Sequence, residues 1–246
     1  MGFWLLGERT FSLSTPGIAK FDFYGREFLR PYATFPHPNV LAGFMLMGIV
    51  ILTSMKKEIM VFGATMLASL TILLTVSRVA ILAGLVFATA VLTQSKARFL
   101  LLLAVIILLP ILYTRFSSLA NFDNLTFVRR GELSLIAIKI WATSPIFGVG
   151  LNNFIPTAAD LLLSGPSRFL QPVHNIFLLA LAETGIAGLA GLIILIGYPI
   201  YKSSKLNLFL WGVVFFLGMF DHYFLTLPQG YRLLFLIWGL TWRMLK

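Results

Sequence analysis

Residues 175–201 read NIFLLALAETGIAGLAGLIILIGYPIY, and the whole stretch carries one charged side chain, Glu183. A bilayer core is crossed by about 20 apolar residues in a helix, with a range of roughly 17–25. Further apolar runs lie at Val40–Met55, Ile59–Val76, Val79–Gln94, Phe99–Tyr113, Leu206–Phe220 and Tyr231–Trp242. With 175–201 they make about seven transmembrane helices, some near the lower length limit. The expected fold is all-α, a polytopic integral membrane protein whose polar stretch 114–174 forms an outer loop with amphipathic helices.

Composition supports that reading. The chain has 246 residues, 59% hydrophobic and 11% charged, with a mean hydropathy of +0.91. Soluble domains run about 45–50% apolar and about 25% charged, so a water-soluble fold is excluded. A disordered chain needs low hydrophobicity and high charge, and is excluded too. The 23 Phe and 5 Trp suit a lipid-facing surface with aromatic belts. The formal charge of +10 is spread between apolar runs rather than gathered on one patch, so the lipid bilayer is the expected partner and nucleic acid is not. The chain has no cysteine, which removes disulfides, thiolate chemistry and iron–sulfur ligation. Only 3 His and 9 acidic residues remain for acid–base work.

Lys and Arg set the orientation. Lys56, Lys57, Lys96, Arg98, Lys202, Lys205, Arg243 and Lys246 fall on one side of a seven-span arrangement. That side is assigned to the cytoplasm, with the C-terminus inside. The organisation is a single membrane domain over 1–246: an extracytoplasmic segment at 1–39, four spans in 40–113, the large outer loop at 114–174 and three spans in 175–246. No basic segment precedes an apolar one near the start, so a signal peptide is not read there. Met1–Gly7 resembles the tail of a helix, and the chain is expected to be the C-terminal part of a longer protein.

The outer side holds the polar chemistry. His37, His174 and His222 lie there, with Arg9, Arg26, Arg30, Arg78, Arg115, Arg129, Arg130, Arg168 and Arg232. Arg forks bind phosphate and carboxylate bidentately and stay charged, so the set suits an anionic substrate; singly, each could equally meet lipid headgroups. Arg78 closes the second span with almost no loop after it. In Arg129–Trp141, RRGELSLIAIKIW, the apolar residues Leu133, Ile136, Ala137, Ile140 and Trp141 share one helical face, with Glu132 and Lys139 off it. A helix so short and polar is expected to lie in the outer interface. Ser144-Pro145 and Gly148-Val149-Gly150 follow as a turn that allows close backbone approach. A lone GxG with no preceding strand is not a dinucleotide site.

His174 sits at the mouth of the fifth run, with Asn175 placed to cap the helix. A helix N-terminus favours nearby anions, and imidazole is the side chain best suited to take a proton near neutral pH. His174 could accept a proton from an attacking hydroxyl, or merely cap the span. Glu183 is nine residues on, about 13 Å deeper and on the opposite face. It therefore reads as a buried structural group, paired with an Arg, and not as the partner of His174. Gly185, Gly188 and Gly191 suggest close helix packing. His37-Pro38-Asn39 opens the first run as a structural helix start. Asp221-His222 is a second possible acid–base pair, although adjacent turn residues often point apart. No His spacing matches a metal motif, and no G-x-S-x-G marks an acyl nucleophile.

Three segments together resemble the O-antigen ligase-like superfamily. Arg30-Pro-Tyr-Ala-Thr-Phe-Pro-His-Pro-Asn-Val-Leu-Ala-Gly is similar to that family's Arg-x-x-Gly-Thr-Phe-x-His-Pro-Asn-x-Leu-Ala pattern, with Ala33 in place of Gly. Arg129-Arg130 followed by Ser144-Pro-Ile-Phe-Gly-Val-Gly-Leu-Asn-Asn-Phe is similar to its Arg-bearing helix and Pro-x-x-Gly-x-Gly turn. The stretch from His174-Asn175 to Gly188-Leu189 resembles its His-Asn segment, and Ser77-Arg78 matches an Arg after an earlier span. The likeness covers roughly residues 28–200.

The resemblance implies a GT-C-like membrane glycosyltransferase in the bacterial plasma membrane, with its site facing the periplasm. The implied donor is a glycan on undecaprenyl diphosphate, and the implied acceptor is a glycan or lipid A–core sugar. His174 would be the general base, and Arg30, Arg78 and Arg129 or Arg130 would hold the diphosphate. His37, Asn39, Asn175, Glu183 and His222 would support them. Neither metal nor cofactor is implied. A polymerase of the same superfamily uses the same donor and differs in acceptor. A transporter would place ionisable groups along a path through the bilayer, whereas here charge crowds the outer edge. A non-catalytic scaffold would not need His and several Arg on one face.

Overall fold

A computed structural model describes residues 11–53, 55, 59–92, 113, 125–161, 170–201 and 205–244. The expected fourth run, Phe99–Tyr113, lies almost wholly outside these residues, as do Arg9, Arg115, Arg168 and most of the cytoplasmic Lys and Arg. The protein is mostly helical, as the apolar runs predict. It divides into two compact units, Met1–Asn121 and Phe122–Lys246.

The first unit opens with an antiparallel hairpin that the sequence reading does not anticipate: β1 (Lys20–Phe23) pairs with β2 (Arg26–Leu29), Lys20 opposite Leu29 and Phe23 opposite Arg26. Tyr24 and Gly25 turn it, both at positive φ, and the Phe21 and Phe28 rings stack across it at 5.5 Å. Three helices follow, α1 (Pro38–Leu52), α2 (Ile59–Thr75) and α3 (Arg78–Leu92). They coincide with the first three apolar runs to within a few residues. Leu41, Ala42, Leu46, Met47 and Val50 of α1 are buried against its neighbours. The opposite side of α2 exposes Ile59, Met60, Leu67 and Leu74. In water such a surface would aggregate; hydrocarbon is the solvent it fits.

The second unit holds α4 (Leu125–Thr143), α5 (Phe154–Leu161), α6 (Ile176–Tyr201), α7 (Lys205–Gly218), α8 (Tyr223–Thr226) and α9 (Pro228–Met244). Among the described residues α6 is the one helix long and apolar enough to cross a membrane, with 26 residues and a mean hydropathy of 2.2. The shorter apolar helices include α1, α2 and parts of α3 and α7.

The apolar face read in α4 is the face it buries. Leu133, Ile136, Ala137 and Ile140 pack with Phe154, Ala158, Leu179 and Ala182, while Lys139 stays exposed. Small Ala residues at this contact let the helices approach. That closeness matters in lipid, where van der Waals packing replaces the hydrophobic drive. Between α7 and α9, the buried Trp211 donates its Nε1–H to Thr241 Oγ1 at 2.8 Å. An unmet indole N–H in that core would cost free energy, so the bond also fixes the register of the two helices.

α6 is broken near its middle. Gly185 has φ 64 and ψ −164, a conformation open essentially only to glycine. The break strands the carbonyls of Ala182 and Glu183 and the N–H groups of Ile186 and Ala187. The 145–150 turn takes up all four. Val149 and Gly150 donate to Ala182 and Glu183 at 3.1 and 2.8 Å, and Ile186 and Ala187 donate to Pro145 and Ile146 at 2.9 and 3.2 Å. The turn can lie against the broken helix because Gly148 and Gly185 carry no side chain. A Cβ on Gly148 would strike the backbone of Glu183 and Thr184, and one on Gly185 would strike Ile146 and Phe147. The expectation that Gly185, Gly188 and Gly191 form a packing stripe is therefore refined. Gly185 makes the break, Gly188 lies under the Thr184 side chain, and Gly191 faces open space.

Candidate active site

Polar residues gather at one end of each unit. In the first, Arg30 follows β2 and is buried. Its Nε donates to the Thr75 carbonyl at 2.6 Å and its Nη2 donates to Asn39 Oδ1 at 2.7 Å. Thr75 ends α2, where backbone carbonyls lack helical partners, and Val76 turns the chain with φ 51. Arg78 then begins α3. Arg30 and Arg78 thus meet one α2–α3 turn, and the bonds to Thr75 and Asn39 help hold the Arg30 guanidinium in a fixed plane. His37 caps α1: its Nδ1 accepts the Asn39 N–H at 3.1 Å, while the Asn39 side chain reaches Arg30. Ala33, where the resembled pattern has Gly, adopts φ 49, a left-handed position that Gly fills without strain.

In the second unit the mouth of α6 is organised by Asn175. Its Oδ1 accepts the N–H groups of Phe177 and Leu178 at 2.9 and 3.0 Å, and its Nδ2 donates to the Met219 carbonyl at 3.2 Å. One side chain caps α6 and ties it to the segment after α7. That tie brings Asp221 and His222 to His174. His174 Nδ1 lies 3.8 Å from Asp221 Oδ1, and the His174 and His222 ring centroids are 5.2 Å apart. Asp221 Oδ1 also accepts the backbone N–H of His222 at 2.9 Å, which aims the carboxylate back toward His174. Thr226 Oγ1 lies 2.6 Å from His222 Nδ1. Arg130 joins from α4 through the Phe220 carbonyl at 3.3 Å. Arg129 instead pairs with Glu132 at 2.8 Å.

Glu183 has a different partner from the Arg expected. Its Oε1 accepts the Phe154 N–H at 3.2 Å and so caps the start of α5. As the sequence spacing predicts, it is not the partner of His174. Asp221 is the group that sequence reasoning undervalues. It lies far from His174 in the chain, and the rule that adjacent turn residues diverge hides its use. The signal present was the Asp-His pair itself.

Burial lowers the Arg130 pKa, which Asp221 partly offsets, and the guanidinium stays a cation at neutral pH. Burial pushes the Tyr223 phenol upward, and Asp221 adds to the effect. His222 is pushed down to about 4 by burial; Asp221 opposes this, while His174 and Arg130 add to it. Between about pH 4 and 6.5 an unfolded chain binds a proton at His222 that the folded protein refuses. Its share of stability is therefore complete above 6.5 and lost as pH falls toward 4. Thermal melts across this window check it. Wild type is expected to lose more Tm per pH unit than His222→Gln; equal slopes would refute the assignment.

The set can do two kinds of chemistry. An imidazole backed by a carboxylate can take a proton from a hydroxyl, and an Arg beside it can balance developing negative charge. His174, Asp221 and His222 also offer ligand atoms within 4.8 Å of one another, a grouping that spacing along the chain does not reveal. The O-Antigen ligase family profile matches residues 63–193, more than half of the chain. The match includes Arg78, Arg129, Arg130, His174, Asn175 and Glu183; Arg30, His37 and Asn39 precede it, and Asp221 and His222 follow it. No curated protein matches the chain.

Proposed function

The chain belongs to the O-antigen ligase family, and from that premise we propose that it transfers a glycan from undecaprenyl diphosphate to an acceptor sugar hydroxyl. The family carries a bacterial membrane function of ligase or polymerase type. The proposal places the reaction on the outer face of the plasma membrane, in a GT-C-like chain of about seven spans. The observation that carries it is His174 at the capped mouth of α6 with Asp221 at 3.8 Å.

The reaction needs a base and an anion holder. The acceptor oxygen attacks the anomeric carbon and forms the new glycosidic bond. The bond from that carbon to the diphosphate oxygen breaks, and its electron pair leaves with the lipid diphosphate. The hydroxyl proton passes to His174 Nε2, while Nδ1–H faces Asp221. At 3.8 Å the Asp221 carboxylate is too far for a hydrogen bond and acts through its charge, which steadies the imidazolium as it forms. By likeness to the family pattern, Arg30, Arg78 and Arg129 or Arg130 are assigned the positive charge for the diphosphate; Arg129 also pairs with Glu132. Ligase and polymerase share these steps and differ in the acceptor.

Replacing Arg30 by Ala is expected to raise the donor KM about tenfold or more, with the acceptor KM little changed, since a charge-assisted bond is worth about 1.5–3 kcal/mol. Initial rates over both substrates measure this. A donor dependence equal to wild type would remove Arg30 from the diphosphate site. Transfer is also expected to persist after dialysis against EDTA. Loss of activity that a divalent cation restores would assign the His174–Asp221–His222 cluster to a metal.

A further inference from the structure

We propose that His222, positioned by Thr226, is a second hydroxyl-binding group for the acceptor, so that His174 and His222 grip neighbouring hydroxyls of one sugar. The inference rests on the transfer reaction above and names what that site recognises. Each ring has one nitrogen facing the protein. His174 Nδ1 faces Asp221 at 3.8 Å, and His222 Nδ1 meets Thr226 Oγ1 at 2.6 Å. The Nε2 position of each ring is then the one through which it can meet a substrate. The ring centroids are 5.2 Å apart and tilted by 43°. Two imidazoles at that spacing suit the adjacent hydroxyls of a pyranose, one losing its proton and the other held.

The electrostatics favour a neutral ligand at His222. Asp221, His174 and Arg130 are the charged or titratable groups acting on it, and with burial they hold its pKa at about 4. The ring is uncharged at working pH, so it adds little to diphosphate binding and can hydrogen-bond a hydroxyl. Thr226 Oγ1 lies 3.2 Å from the His222 carbonyl as well, so one hydroxyl ties the ring to its own backbone and fixes its rotamer. Thr226 is a positioning residue in this scheme.

The test uses the full-length gene product in lipid nanodiscs, with lipid-linked glycan and acceptor glycan both drawn from the source cells. The variants are His222→Leu, His222→Gln and Thr226→Val. The expected result is an acceptor KM raised about tenfold in His222→Leu, about one hydrogen bond's worth, with donor KM unmoved. His222→Gln should restore most of the loss, and Thr226→Val should lie between. Unchanged acceptor KM in His222→Leu and Thr226→Val overturns the proposal, as does a donor KM that rises in step with the acceptor KM. Should His222→Leu fail to fold, Thr226→Val and His222→Gln decide by the same split. Absence of transfer by wild type defeats the underlying reaction instead.

Discussion

His174→Ala is expected to lower transfer by about 10²- to 10⁴-fold, the usual contribution of a positioned general base, without loss of folding. The imidazole is not part of the apolar packing of α4, α5 and α6, and the cap of α6 belongs to Asn175. Removing the ring leaves both intact. The loss should appear mainly in kcat with donor KM near wild type, because the proton moves only in the transition state. Asp221→Asn should show a smaller loss of the same kind, since the carboxylate stabilises charge rather than reacts. A His174→Ala protein with wild-type kcat would remove the base from the mechanism.

The largest structural effect is expected at Gly185. Gly185→Ala places a β-branch-free but still forbidden side chain at φ 64, ψ −164 and drives its Cβ into the Ile146 backbone. Backbone strain there costs about 1–3 kcal/mol, and overpacking about 1–3 kcal/mol more. The collision is with backbone, which cannot rotate away. The 145–150 turn must lift off, and four hydrogen bonds go with it. Gly191→Ala is the matched control on the same helix. Its Cβ meets nothing within 4 Å, and Ala favours a helix interior by up to about 1 kcal/mol over Gly. Melting of both variants in detergent checks the contrast. Equal stability of the two would mean that the turn and the broken helix are not locked together.

Much of this is legible in the amino-acid sequence. The apolar runs place α1, α2, α3, α6, α7 and α9 to within a few residues, because polar and charged residues interrupt the chain where these helices end. The face of α4 is readable from the spacing of Leu133, Ile136, Ala137 and Ile140. His174 stands out through its place at a helix mouth. What was hidden depends on contacts distant in sequence. Asp221 lies 3.8 Å from His174 at the point where Asn175 ties α6 to the Met219 carbonyl. The close backbone approach expected at Gly148–Gly150 has a partner that local sequence does not name, the break at Gly185. Glu183 looks like half of an ion pair because the local pattern cannot show that α5 presents a free N–H to it. The hairpin at Lys20–Leu29 escapes because its strands are only 4 residues each and β2 is exposed throughout.

The surface-glycan ladder of cells carrying His174→Ala in the chromosomal gene tests the central claim most directly. A changed ladder is the predicted result. Glycan stranded on the lipid carrier would identify the ligase reaction, and single-repeat caps the polymerase reaction. A ladder identical to wild type, with the variant protein present in the membrane, would contradict the assignment of His174 as the base and with it the proposed transfer.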